Sequence, residues 1–197
     1  MKKKVIAITS RELYLRSKKR KKDFISKDWY KLAKNCDFEI LPLKNSDHKS
    51  FQFLNKKKVK GIIFSGGGPI TKNLGKISFN KDNSINSNRD VVETKLYRVC
   101  KKKNIPLLGV CRGMQVINLL EGGKIHKIRN HVSKIHDLKL KKKFTKKFQL
   151  PKKVNSFHDY GIKRQFLARK LKEIGFINNY IEVFKHESKE IYGIMWH

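Results

Sequence analysis

The chain has 197 residues and a formal net charge of +32, from 48 Lys and Arg against 16 Asp and Glu. That length supports one domain, residues 1–197, with a full hydrophobic core, and no apolar run approaches the roughly 18 residues of a membrane span. Three cysteines without a CxxC pair argue against a disulfide framework and point to a reducing cytoplasm. Basic blocks at 2–4, 18–22, 56–58, 101–103 and 139–147 fall at expected helix ends and loops. A nucleic-acid binder gathers such residues on one face with aromatics between them. Two readings of the charge stay open: compositional bias on a solvated surface, or attraction of an anionic substrate or polyanion.

The basic start turns polar too soon for a signal peptide, and Lys4 to Thr9 predicts a central strand. Residues 10–22 predict a basic loop at its carboxyl end. Asp23 to Cys36 carries Phe24, Ile25, Trp29, Leu32, Ala33 and Cys36 at helical spacing. Phe38 to Leu43 predicts a second strand with Pro42 near its end, 50–58 a short helix, and Val59 to Ser65 a third strand. Residues 71–88 predict a loop or lid, and Arg89 to Lys102 a helix with Val92, Leu96 and Cys100 inward. Ile105 to Val110 is a short buried strand, followed by a helix that ends at Gly122-Gly123. Residues 164–175 are ambiguous between helix and strand. Tyr180 to Lys185 and Glu190 to Trp196 predict a hairpin. Alternating strands and helices imply a three-layer α/β fold, flavodoxin-like or Rossmann-like, with a mostly parallel sheet and a C-terminal antiparallel hairpin. Ligands of such sheets bind beyond the carboxyl ends of the strands.

Three features fall at those ends. Gly109-x-Cys111-x-Gly113 has nucleophile-elbow spacing with cysteine in place of serine. A sulfur at a helix N-terminus is expected to have a lowered thiol pKa; the alternative is a buried structural cysteine between turn glycines. Gly66-Gly67-Gly68 follows the third strand and is free to adopt positive φ and turn amides toward a ligand, or to be a plain turn. No Gly-Lys-Ser/Thr follows, so it is not a P-loop. His197 ends the last strand. A cysteine nucleophile needs a base and oxyanion donors. His197 is the preferred base and His158 the second candidate; the amides of Arg112 and of Gly67 or Gly68 are the natural donors. His126, His131 and His136 do not follow a zinc spacing, and no acidic or cysteine ligand repeats with them, so no metal and no cofactor are expected.

These pieces resemble class I glutamine amidotransferase domains, above all their γ-glutamyl hydrolase, peptidase C26-like branch. The matching stretches are Ser65-Gly-Gly-Gly68, Arg89-Asp90-x-x-Glu93, Leu108 to Asn118, Gly122-Gly-x-Ile-His126, His131-Val, His136-Asp-x-x-Leu140, Val154-Asn-Ser-x-His158, Ile181-Glu182-Val183 and Gly193-Ile-Met-Trp-His197. The resemblance implies hydrolysis of a γ-glutamyl amide, with Cys111 as nucleophile and His197 as base. It implies that Gln115, Asn155, Ser156 and His158 hold the glutamyl end. The implied partner is a small γ-glutamyl substrate of anionic character, with neither membrane nor nucleic acid. Within the branch, the resemblance extends to hydrolases of a γ-glutamyl nucleotide amidate in capsule phosphoramidate pathways. The family pattern continues past this histidine with proline and the third triad member, glutamate. Three readings follow: a chain cut short after His197, a Cys–His dyad that suffices, or an inactive protein; the expectation is the first, with turnover impaired. The alternatives are a glutaminase that feeds ammonia to a synthetase partner, and a non-catalytic basic binding protein.

Overall fold

A computed structural model describes residues 3–15, 20–46, 51, 54, 58–71, 74, 88–128, 131–146 and 148–197. The strands in chain order are β1 (Lys4–Thr9), β2 (Arg11–Leu15), β3 (Arg20–Phe24), β4 (Phe38–Leu43), β5 (Val59–Phe64), β6 (Leu107–Val110), β7 (His126–Lys127), β8 (Lys134–Asp137), β9 (Lys139–Leu140), β10 (Lys153–Ser156), β11 (Tyr160–Lys163), β12 (Leu171–Ile177), β13 (Tyr180–His186) and β14 (Ile191–Ile194). Among the described residues the α-helices of known bounds are α1 (Lys27–Asn35), α2 (Asn88–Lys103) and α3 (Arg112–Leu120).

β4, β1, β5, β6 and β14 lie side by side in that order, all parallel. Alternation along these strands divides the core. Ala7, Ile62, Phe64 and Leu107 face one side with Val92 and Leu96 of α2 and Met114 and Ile117 of α3. Ile8, Ile63 and Val110 face the other with Trp29 of α1. Helices therefore cover both faces. Pro42 fits because β4 ends the strand order and pairs on one side only. Beyond β14 the sheet turns antiparallel: β13 pairs with β14, β12 and β11. Because β14 runs parallel to β6, with Ile194 opposite Val110, the residues after both strands emerge at the same edge.

Two stretches differ from expectation. The basic segment 10–22 is not a loop: β2 and β3 form an antiparallel ribbon, with Arg11 opposite Phe24. Its ladder bonds are main-chain bonds, which leave no apolar signature in a basic sequence. The helix expected from Asp23 starts only at Lys27, after the N-cap Ser26. Residues 164–175 resolve into a 3-10 turn, Arg164–Phe166, and β12. Register shifts around Gly175 interrupt the period-2 pattern that would have marked the strand. Most of 50–58 and 71–88 lies outside the described residues.

Gly113 has no room for a side chain. A Cβ there would lie 2.2 Å from the Phe64 carbonyl oxygen and 2.7 Å from its Cβ. Gly113→Ala must push α3 off β5, and we expect it to destabilise the fold by about 3 kcal/mol or more, read from the urea unfolding midpoint.

Candidate active site

Cys111 stands between β6 and α3 with φ 51° and ψ −105°. This strained conformation survives because its surroundings over-determine it. A Cβ on Gly109 would meet Gly113 main-chain atoms at 2.6 Å, so the turn closes glycine on glycine. The Cys111 amide donates to the Ile194 carbonyl of β14 at 2.8 Å. Burial pushes the thiol above its ordinary pKa, although the amides of Arg112 and Gly67 hydrogen-bond the sulfur and pull the other way. The expectation of a lowered thiol pKa is corrected: desolvation outweighs the amides, so the sulfur needs a base to take its proton.

The glycine turn is held from beneath by buried charges. Gly67 and Gly68 have φ +75° and +88°, which favour glycine. Arg89 donates to the carbonyls of Gly67 (2.7 Å) and Ser65 (2.5 Å) and to Glu93 (2.9 Å). The planar peptide puts N–H opposite C=O, so the Gly67 carbonyl on Arg89 turns the Gly68 amide away from that arginine. The Arg112 guanidinium pairs with both Glu93 and Asp90 and donates to the Pro69 carbonyl at 3.0 Å. Thr9 completes the cluster by donating to Glu93 at 2.8 Å. Burial opposes ionisation of Glu93, but Arg112 and Arg89 hold its carboxyl below the usual range. The sequence marks Arg89, Asp90 and Glu93 only through the family pattern; an Arg and a Glu one helical turn apart are their sole local signal.

His197 reaches the same point from β14. A Cβ on Gly66 would lie 2.5 Å from His197 Cε1 and 3.3 Å from Cys111 Cβ, so cysteine and imidazole converge over this glycine. The Asn155 side chain clamps the main chain of His197, accepting from its amide at 2.8 Å and donating to its carbonyl at 2.9 Å. Both polar ends of Asn155 are thus engaged with the protein, where the resemblance implied substrate. Burial, then the nearby Arg11, lowers the His197 pKa. Beside the imidazole opens a cavity of about 630 Å³ lined by Arg11, Trp29, Phe157, Trp196 and other residues. Sequence reasoning did not single out these residues for the site; they come together only through the ribbon, α1 and the chain after β14.

Gln115 is buried on α3 and donates to the Tyr160 carbonyl at 2.7 Å. That carbonyl also lies 2.8 Å from His158 Nδ1. Burial, then His131, drops the His158 pKa to about 4, so the ring is neutral. Ser156 is buried, with no hydrogen bond at its Oγ among the described residues. No linear spacing links His126, His131 and His136 to an acidic residue, but the fold brings one beside His131 and His158. One ligand atom each from His131, His158 and Glu182 lies within 4.8 Å of the others, all three residues buried. They come from two loops and a strand, so no linear spacing records them. His126 is exposed on β7 and is not part of this group.

Comparison with known proteins points the same way. A family model described as Peptidase C26 matches residues 4–197. Gamma-glutamyl-CDP-amidate hydrolase of Campylobacter jejuni is 34% identical over 98% of this chain and 88% of its own length. The glutamine-hydrolyzing GMP synthase of Fusobacterium nucleatum is 26% identical over 81% of this chain and 27% of its own length. The crystal structure of a glutamine amidotransferase from Thermotoga maritima superposes with a TM-score of 0.66 at 16% identity, over 99% of this chain and 75% of that one. No helix among the described residues is long and apolar enough to cross a membrane.

Removing one charge from the cluster under the glycine turn leaves the others buried without balance. We expect Glu93→Gln to cost about 3–5 kcal/mol at neutral pH. The folded-state pKa of Glu93 is depressed, so its stabilisation is complete above the ordinary carboxylate range and is lost as pH falls through the lower folded value. Urea midpoints measured at neutral and acid pH should therefore show the gap between wild type and variant narrowing in acid.

Proposed function

The chain belongs to the peptidase C26 family, and on that premise we propose that it hydrolyses the γ-glutamyl amide of a nucleoside diphosphate amidate through a thioester on Cys111. The observation that carries the reading is the convergence of Cys111, His197 and two main-chain amides beside Gly66. Neutral His197 takes the thiol proton, and the sulfur attacks the γ-carbonyl carbon. The oxyanion that forms takes hydrogen bonds from the amides of Gly67 or Gly68 and Arg112, which need no reorganisation because the ion pairs beneath already fix them. Collapse of the intermediate breaks the C–N bond, and His197 gives its proton to the departing nitrogen. Water, deprotonated by His197, then attacks the thioester; glutamate leaves and the thiol returns.

The cavity supports a nucleotide leaving group. Trp29, Phe157 and Trp196 offer aromatic faces for a base, and Arg11 offers a guanidinium for phosphate oxygens. The net charge of +32 draws such an anion from a distance. The name of the Campylobacter relative supports a cytidine diphosphate amidate, with cytidine diphosphoramidate as product. We infer a cytoplasmic setting in capsule phosphoramidate assembly from the sequence resemblance.

The test is a substrate panel followed by mass spectrometry: γ-glutamyl-CDP-amidate, γ-glutamyl amines and glutamine. We expect the nucleotide amidate to turn over fastest; preference for glutamine, raised by a synthetase partner, would favour the glutaminase reading suggested by the Fusobacterium relative. Cys111→Ala should cut kcat by about 10³-fold or more while the protein still folds. Trp196→Ala should raise KM for the nucleotide amidate and leave that for small γ-glutamyl amines nearly unchanged. The base must be neutral and its pKa is lowered, so the acid limb of kcat/KM should lie below the ordinary imidazole value.

A further inference from the structure

Beside Cys111 and His197 lies a second group of buried polar side chains, and one of them, His158, is a residue for which the resemblance implied a contact to the glutamyl end. His131, His158 and Glu182 are buried, with exposures of 8%, 6% and 1%. Nε2 of both histidines and both carboxylate oxygens of Glu182 have no hydrogen-bond partner among the described residues. Burying such atoms unpaired costs about 1–3 kcal/mol each, more for a charged group. A protein that aims four of them at one another is built around something that binds there.

We propose that His131, His158 and Glu182 form a binding site for a divalent first-row transition metal of the zinc class. The donor set of two imidazoles and one carboxylate is a zinc set with a fourth position open. The three ligand atoms already lie within 4.8 Å of one another. A tetrahedral zinc holds its ligands roughly 3.5 Å apart, so loading needs a contraction of about an ångström. His158 is prepared for the role. Its Nδ1 faces the Tyr160 carbonyl at 2.8 Å, and a carbonyl only accepts, so Nδ1 carries the hydrogen and Nε2 keeps its lone pair. That second hydrogen bond is what orients a metal-binding imidazole. His131 is held by ring contacts, stacked on His136 at 4.4 Å between centroids and edge-on to His158 at 4.8 Å. The metal joins two loops to β13 and so fixes the wall next to the cysteine.

The test uses the untagged 197-residue chain, stripped with chelator and dialysed against Zn²⁺, with metal read by elemental analysis and affinity by calorimetry. The expected result is one zinc per chain and a raised Tm on loading. Glu182→Gln and His158→Ala should each weaken zinc binding by about 100-fold or more and lose the Tm shift, with circular dichroism checking that they fold. X-ray absorption on the wild type, which needs no variant, should show nitrogen and oxygen ligands only. Cys111→Ala should bind zinc like wild type, so failure of the hydrolase reading leaves this result standing. Sulfur in the zinc shell, or wild-type zinc uptake no greater than that of a His131→Ala, His158→Ala double variant, would overturn the proposal.

Discussion

The buried ion pairs of Arg89, Asp90, Glu93 and Arg112 are the constraint on which the catalytic geometry depends. Each touches a different part of the site. Arg89 fixes the carbonyls of Ser65 and Gly67, Arg112 is the residue after Cys111, Asp90 pairs with Arg112 and takes the Thr71 amide, and Glu93 joins the two arginines and takes the Thr9 hydroxyl at the end of β1. A glycine turn with two positive φ angles would otherwise exchange between peptide orientations. Clamping the Gly67 carbonyl selects one of them and directs the following amide away from the clamp. Charges buried at this depth add little net stability when paired, and their use here is to hold a loop in a single state.

The same logic explains how a cysteine remains in so strained a place. β6 and β14 are parallel and in register, so Val110 and Ile194 end side by side, and the Ile194 carbonyl receives the Cys111 amide. The last strand therefore supplies both a support for Cys111 and, three residues later, the imidazole that lies beside it. Asn155 adds a lock, since it grips the main chain of His197 by both ends. Proximity is thereby paid for in folding rather than in binding.

The parallel core was legible because its signals are local. Apolar strands from Lys4, Phe38, Val59 and Ile105, glycines flanking Cys111, and the Val92, Leu96, Cys100 stripe each carry their period in consecutive residues. The ribbon β2–β3 was not legible, since a ladder of main-chain bonds in a lysine-rich stretch leaves no hydrophobic trace. β12 was obscured by the register shifts at Gly175. For the site, the motif gave residues but not partners. The resemblance implies a substrate contact for Asn155 and says nothing of its grip on His197, and Glu182 is marked only as a matched position within an apolar strand. Which polar group meets which is decided by sheet order, and no local window contains it. The thiol pKa shows a related limit: the helix terminus is visible in sequence, whereas the burial that outweighs it is a property of the whole core.

Two buried polar clusters flank the cysteine, and their difference is physical. In the arginine cluster nearly every donor meets an acceptor on a neighbouring element, and the result is rigid. In the histidine cluster Nε2 of His131 and of His158 and both carboxylate oxygens of Glu182 meet no hydrogen-bond partner among the described residues. Unmatched polarity of this kind costs stability in the unliganded chain. Its position near Cys111, with His158 in the loop that follows Asn155, gives any ligand bound there leverage over the placing of Cys111 and His197.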